Sequence, residues 1–142
     1  MNFQYSAIGD NTLQNREHLE KLGWKEKYIQ EDADIIVCAS NTGMFSAIAK
    51  DTQEWFKEYQ SECIDCRSNP SLFRAVTAMR DDSDYMQWFV FDRDVYDWED
   101  EYTKGDTLLF KKGDWYLCRH YGMIGKTITH KATLAELQEH FK

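Results

Sequence analysis

Apolar and polar positions along this chain change period from two to about 3.6 and back, and those changes place the elements. Phe3, Tyr5 and Ala7 share one side of a strand predicted over residues 3–8, with Ile8 turning inward at its end. Asn11 then offers a cap, Gln14 stands where a capping partner belongs, and a helix runs to Leu22. Leu13 opens that helix, and Leu19 and Leu22 lie on one side of it. Gly23 supplies the left-handed residue that ends it, and Trp24 and Tyr28 are expected to pack back on the helix end. Ile35-Ile36-Val37-Cys38 is a strongly apolar strand. Asn41-Thr42-Gly43 turns the chain, and residues 44–49 return as the second arm of a hairpin.

Residues 51–60 read as a short helix, from Asp51 with Glu54 as a capping pair and Trp55 with Tyr59 one turn apart. Residues 61–66 read as a strand. Asn69 caps the next helix with Pro70 in its first turn, where a missing N–H costs nothing. Leu72, Phe73, Val76 and Met79 give that helix one buried face, and it ends near Arg80. Residues 87–91 form an aromatic strand and 92–104 a loop. Residues 107–110 and 115–120 predict another hairpin, Gly122 and Gly125 bracket a turn, and 126–130 a last strand. Thr133 and Glu136 make a capping box for a final helix with Leu134, Leu137 and Phe141 on its buried stripe. A strand containing Ile8, Ile64 or Ile128 leads each time into a polar turn and a helix opening at Leu13, Leu72 or Leu134. The implied fold is one α+β domain over residues 1–142: a mixed, mostly antiparallel sheet with about three helices packed on it.

Composition agrees with that size. In 142 residues, 42% apolar and 15% aromatic, there is enough to bury a core without metal or disulfides. One proline and seven glycines leave no flexible linker. The first ten residues lack a basic and apolar leader, and no apolar run reaches the ~18 residues that span a bilayer. A cytoplasmic protein with reduced cysteines and no membrane contact is expected.

Charge is where the chain departs from the ordinary. Residues 81–102 hold nine carboxylates against one base, Arg93, a net charge of -8 that equals the formal charge of the whole protein. Seven aromatics are woven through the same run. An acidic chain repels a phosphate backbone, so direct nucleic-acid binding is disfavoured and a basic protein partner is favoured. Phe89 and Phe91 belong to a strand and are expected in the core. Tyr96, Trp98 and Tyr102 are embedded in charge, as interface anchors are. The expected partner-binding residues are Asp92, Asp94, Tyr96, Asp97, Trp98, Glu99, Asp100, Glu101 and Tyr102.

No catalytic pattern is complete. Cys63 and Cys66, with Cys118 and His120, would make a zinc set, but residues three apart on a strand point to opposite faces. Asp65 between the thiols also disfavours a redox thiolate. Gly122, Gly125, Lys126 and Thr127 look like the end of a phosphate loop, yet that motif needs glycine where His120 stands. Asp81, Asp82 and Asp84 are carboxylates of the kind that suit a hard cation, but the calcium-loop pattern stops at Gln87, and a solvated turn is expected. His120 and His130 read as surface or edge histidines. The expectation is a non-enzymatic binding protein with no cofactor and no metal. The alternative is a small nucleotide-binding protein or enzyme with a pocket near Cys66, His120 and Lys126.

One resemblance adds a possible origin. Ile64-Asp65-Cys66, Asn69, Leu72-Phe73, Ala78-Met79-Arg80-Asp81-Asp82, Asp84 and Gln87-Trp88-Phe89 together resemble a pattern in small uncharacterised proteins of phages and mobile elements of gut bacteria. The run covers roughly a fifth of the chain. It implies a phage or mobile-element source and carries over no functional residue.

Overall fold

A strand without polar interruption belongs where both its faces are covered, at the centre of a sheet. The computed structural model puts Ile35–Ala39 (β3) there. The structure describes residues 3–49, 62–119 and 128–142. Ala7–Asp10 (β1) runs antiparallel on one side of β3, Ile8 opposite Val37. Met44–Ile48 (β4) runs antiparallel on the other, Ser46 opposite Val37, so the hairpin expected from the Asn41-Thr42-Gly43 turn forms. Two parallel strands complete the sheet: Lys25–Ile29 (β2) beside β4, and the short Ile64–Asp65 (β5) beside β1.

Two helices pack on one face of this sheet. Leu13–Leu22 (α1) and Pro70–Thr77 (α2) bring Leu19, Leu22, Phe73 and Val76 against Ala7, Ile36, Cys38, Phe45 and Ala47. The cap of α1 is Thr12, not Asn11. Thr12 has extended backbone and its hydroxyl accepts from the Asn15 N–H at 3.1 Å, while the Asn11 amide donates to the Ala33 carbonyl at 2.9 Å. Gly23 takes the left-handed conformation (φ 100°) and closes the helix as expected. Trp24 packs back, stacked on Phe3 at 3.9 Å with its indole N–H donating to Thr77 O at 3.0 Å. Tyr28 does not, because it lies on the edge strand β2 and is exposed.

The cap of α2 is Asn69 with Pro70 behind it, as the sequence implies. The helix lies so close to β1 that a Cβ on Gly9 would sit 2.4 Å from the Phe73 ring, which only glycine permits. It stops at Thr77. Arg80, expected near the helix end, instead bridges to Phe3, and its buried guanidinium donates to Leu22 O. On the opposite face of the sheet Ile8, Ile35, Val37 and Ile48 form a second buried cluster, so Ile8 and Ala7 serve different cores.

The C-terminal half adds two smaller sheets. Trp88–Phe91 (β6) is flanked antiparallel by Trp115–Leu117 (β9) and Thr129–Lys131 (β10). Val95–Tyr96 (β7) pairs with Leu108–Phe110 (β8) as a separate ribbon. The hairpin expected between 107–110 and 115–120 is therefore absent. Aromatic stacking decides the pairing: Tyr116 lies on Phe89 at 5.3 Å, which draws β9 to β6, and Phe110 lies on Phe91 at 4.3 Å, which brings β8 over the end of β6. Leu134–His140 (α3) carries the expected capping box and buries Leu137. The expected helix over 51–60, the turn at Gly122 and Gly125, and the start of the strand over 126–130 lie outside the described residues.

Among the described residues the fold is α+β, with three helices and parallel and antiparallel strands in three sheets. No described helix is long and apolar enough to cross a membrane.

A candidate docking arm

Between β6 and β9 the chain leaves the body and returns. The root is closed by main-chain bonds: Phe91 N–H to Asp114 O at 2.9 Å and Gly113 N–H to Phe91 O at 2.8 Å. From there β7 and β8 run out, followed by the bonds Asp97 N–H to Thr107 O and Gly105 N–H to Trp98 O, both 2.9 Å. Glu99 and Lys104 form an antiparallel bridge, and Asp100 N–H donates to Thr103 O at the tip. The segment expected as a loop over 92–104 is thus half of a hairpin arm.

Its carboxylates help build it. Asp94 accepts from the Lys112 N–H at 2.8 Å, and Asp97 from the Trp98 N–H at 3.0 Å. Asp100 accepts from both Tyr102 N–H and Thr103 N–H at 2.8 Å. Short acidic side chains satisfy donors that a tight turn leaves without a strand partner. The arm also carries cations of its own. Arg93 grips both oxygens of Glu99, at 3.0 and 2.8 Å, and the Lys104 ammonium sits 4.1 Å over the Tyr96 ring. Glu99 and Tyr96 are therefore engaged within the arm, although the sequence grouped them with the anchors.

Large apolar and aromatic side chains stand in water beside the arm's charges. Trp98 is 51% exposed, Tyr102 90%, Leu108 37%, Leu109 52% and Phe110 41%. Val95 faces Phe110 and Tyr96 faces Leu108, which leaves Leu109 as the extra residue of a bulge. The bulge interrupts alternation, so all three side chains of β8 keep solvent contact. Sequence reasoning placed this strand but missed its exposed apolar side chains, because it assigned the strand to a hairpin with β9. The signal was present: three consecutive apolar residues beside Asp106 and Lys111 break the period of a half-buried strand.

Asp92 has a different role. At the arm root its carboxylate lies 2.6 Å from His130 Nδ1, and His130 Nε2 lies 3.0 Å from Glu136 Oε1. These hydrogen bonds, Asp92's first and Glu136's second, push the imidazole pKa up from 6.5. The ring ties β10 to the arm root and to the first turn of α3.

Of the acids before β6, Asp81 and Asp82 are exposed, as expected of a solvated turn. Asp84 was expected in a solvated turn but is fully buried, with the Lys131 ammonium at 2.9 Å. Gln87, also buried, donates to Arg80 O and Ser83 O. Asp81 accepts from Gln4 Nε2 at 2.7 Å. A buried carboxylate is retained only with a partner, and the Asp84–Lys131 pair meets that condition.

Cys63 and Cys66 part to opposite sides of the sheet, Cys63 against the Ile8 cluster and Cys66 in the helix-covered core. Burial pushes the Cys66 thiol up to about 12 and raises Cys63 as well, so neither forms a thiolate readily. Among the described residues no group of three or more His, Cys, Asp or Glu side chains is placed to hold a metal. Of the alternative pocket, Cys66 is buried, and His120 and Lys126 lie outside the described residues.

Compared with family models, curated proteins and solved structures, the chain matches none.

Proposed function

We propose that this is a non-enzymatic interaction protein whose arm docks a basic protein surface. The observation that supports it most is the exposure of Trp98, Tyr102, Leu108, Leu109 and Phe110 on an acidic arm whose turns are fixed by its own carboxylates. Large side chains held in water on a preorganised scaffold lose little entropy on binding. Carboxylates around them steer a basic partner and raise its encounter rate. A nucleic-acid-binding protein of the host fits this chemistry, with the carboxylates standing in for phosphates. The resemblance over residues 64–89 adds a phage or mobile-element accessory role in the cytoplasm to the same reading.

The test starts with a pull-down on the full chain and proceeds to surface-binding kinetics at two salt concentrations. Asp94→Asn, Asp97→Asn and Asp100→Asn keep an oxygen acceptor for the turn donors, and Glu101→Gln completes the set. This fourfold variant should fold as the parent does and associate more slowly. Raising salt to about 0.5 M, where the Debye length falls below roughly 5 Å, should slow the parent in the same way. Trp98→Ala should act mainly by faster dissociation. An association rate that ignores both salt and neutralisation sinks the proposal.

A further inference from the structure

A cavity of about 260 Å³ opens on the sheet face opposite α1 and α2, away from the arm. Val37, of the second buried cluster, and the half-buried Cys63 packed against that cluster form its apolar wall, and Ser6 and Ser46 line it with hydroxyls. Two charged groups stand at its rim, Lys27 and Glu62. Lys27 is there because β2 is irregular. Glu26 pairs with Phe45 and Tyr28 with Ser46, so Lys27 is the extra residue of a bulge. Bulges re-aim a side chain that regular pleating would place elsewhere. Neither Lys27 nor Glu62 forms an ion pair with another described residue.

We propose that this cavity binds a small zwitterion, a free α-amino acid, with its carboxylate on Lys27 and its ammonium on Glu62. The charge pattern selects the class. A simple anion would be repelled by Glu62 and a simple cation by Lys27, whereas a ligand carrying both charges satisfies both groups. The volume lies just below the ~300 Å³ at which pockets for drug-sized ligands begin, which suits a metabolite of this size. Val37 and Met44 offer apolar contact to a side chain. The Cys63 thiol stays neutral because burial, and Glu62 beside it, raise its pKa, so it serves as an uncharged wall.

The experiment is calorimetric titration of the full chain with alanine, serine, leucine and glutamine, and for each the matching amine and N-acetyl acid. The zwitterion that binds should do so at least about tenfold more tightly than either singly charged analogue, the loss expected for one charge-assisted contact. Lys27→Met should remove the preference over the amine, and Glu62→Gln the preference over the N-acetyl acid. Both residues are exposed, so the variants should fold. Amide shift changes on titration should centre on β3 and β4. No binding at millimolar concentration by any of the four overturns the proposal. So does an amine that binds as well as its zwitterion, or two variants that bind like the parent.

Discussion

Phe45 and Phe73 in the five-stranded body are enclosed almost completely, while Trp98, Leu109 and Tyr102 in the arm keep half or more of their surface in water. Side chains of one chemical kind serve two ends. In the body they are packed against both sheet and helices, and Thr12, Asn69 and the Asp84–Lys131 pair show polar groups used for caps and a buried pair. In the arm the apolar groups face outward, and local bonds from Asp94, Asp97 and Asp100 hold the shape. The difference assigns stability to the body, and on the proposed function it leaves the arm's apolar groups available to a partner. It also says where a mutation should be felt.

The strongest way to sharpen that contrast is to truncate one aromatic in each region. Phe73→Ala removes a fully buried ring that touches β1 at Gly9 and leaves a void between α2 and the sheet. The expected loss is about 3–5 kcal/mol in unfolding free energy, measured by denaturant titration. Trp98→Ala should change the same quantity by no more than about 0.5 kcal/mol, since an exposed residue forfeits little packing. Comparable losses from both would erase the distinction.

The same contrast explains what the sequence could reveal. Helix α2 was legible because Asn69, Pro70 and the Leu72–Phe73–Val76 spacing are local signals, and β3 with β4 because a turn separates two apolar runs. The split of Cys63 from Cys66 was expected from strand geometry and is observed, although the strand itself spans only Ile64–Asp65 and the two cysteines flank it. The pairing of β8 and β9 was not legible, because it depends on Phe110 meeting Phe91 and Tyr116 meeting Phe89 across the chain. Asp84 looked like its exposed neighbours in sequence. Its burial is decided by Lys131, 47 positions away, which no local pattern records. For the arm, the sequence marked Trp98 and Tyr102 but could not show that Arg93 and Lys104 would occupy Glu99 and Tyr96.

Two histidines probe the body and the arm root with opposite sign. His18 on α1 is buried, with its Nε2 at 3.0 Å from Arg74 O, and burial lowers its pKa from 6.5 to about 4. The unfolded chain takes the proton first, so stability falls as pH drops below 6.5 and levels off near 4. The expected loss across that window is about 3 kcal/mol. His130 is raised by Asp92 and Glu136, so its contribution is present below 6.5 and disappears as pH rises through the raised value. Its side chain is 43% exposed, and solvent screening keeps that contribution within about 1 kcal/mol. Unfolding free energies of the parent, His18→Gln and His130→Gln between pH 4 and 9 check both signs. His18→Gln should flatten the acid limb and His130→Gln the neutral-to-alkaline one. A parent and His18→Gln with parallel acid limbs would show that His18 is charged in the folded protein.

The smallest expected effect on the whole protein is the most specific for the arm. A Cβ on Gly105 would fall 1.8 Å from Asp97 Oδ1 and 2.7 Å from Trp98 Nε1. In Gly105→Ala the Asp97 carboxylate must therefore swing away, and the Trp98 N–H loses its acceptor. The bond from Gly105 N–H to Trp98 O is strained by the same shift. These bonds lie beyond the root closure at Phe91 and Gly113, so the body has no reason to respond. Global unfolding should change by about 0.5 kcal/mol or less. Amides of Trp98, Tyr102, Thr103 and Gly105 should exchange with solvent markedly faster, because local opening reports local bonds. Hydrogen exchange read residue by residue separates the two responses. If slow exchange in β3 and α2 were lost together with that of the arm, the arm would be part of the cooperative core. The outward-facing apolar groups would then have to be explained as structure rather than as recognition.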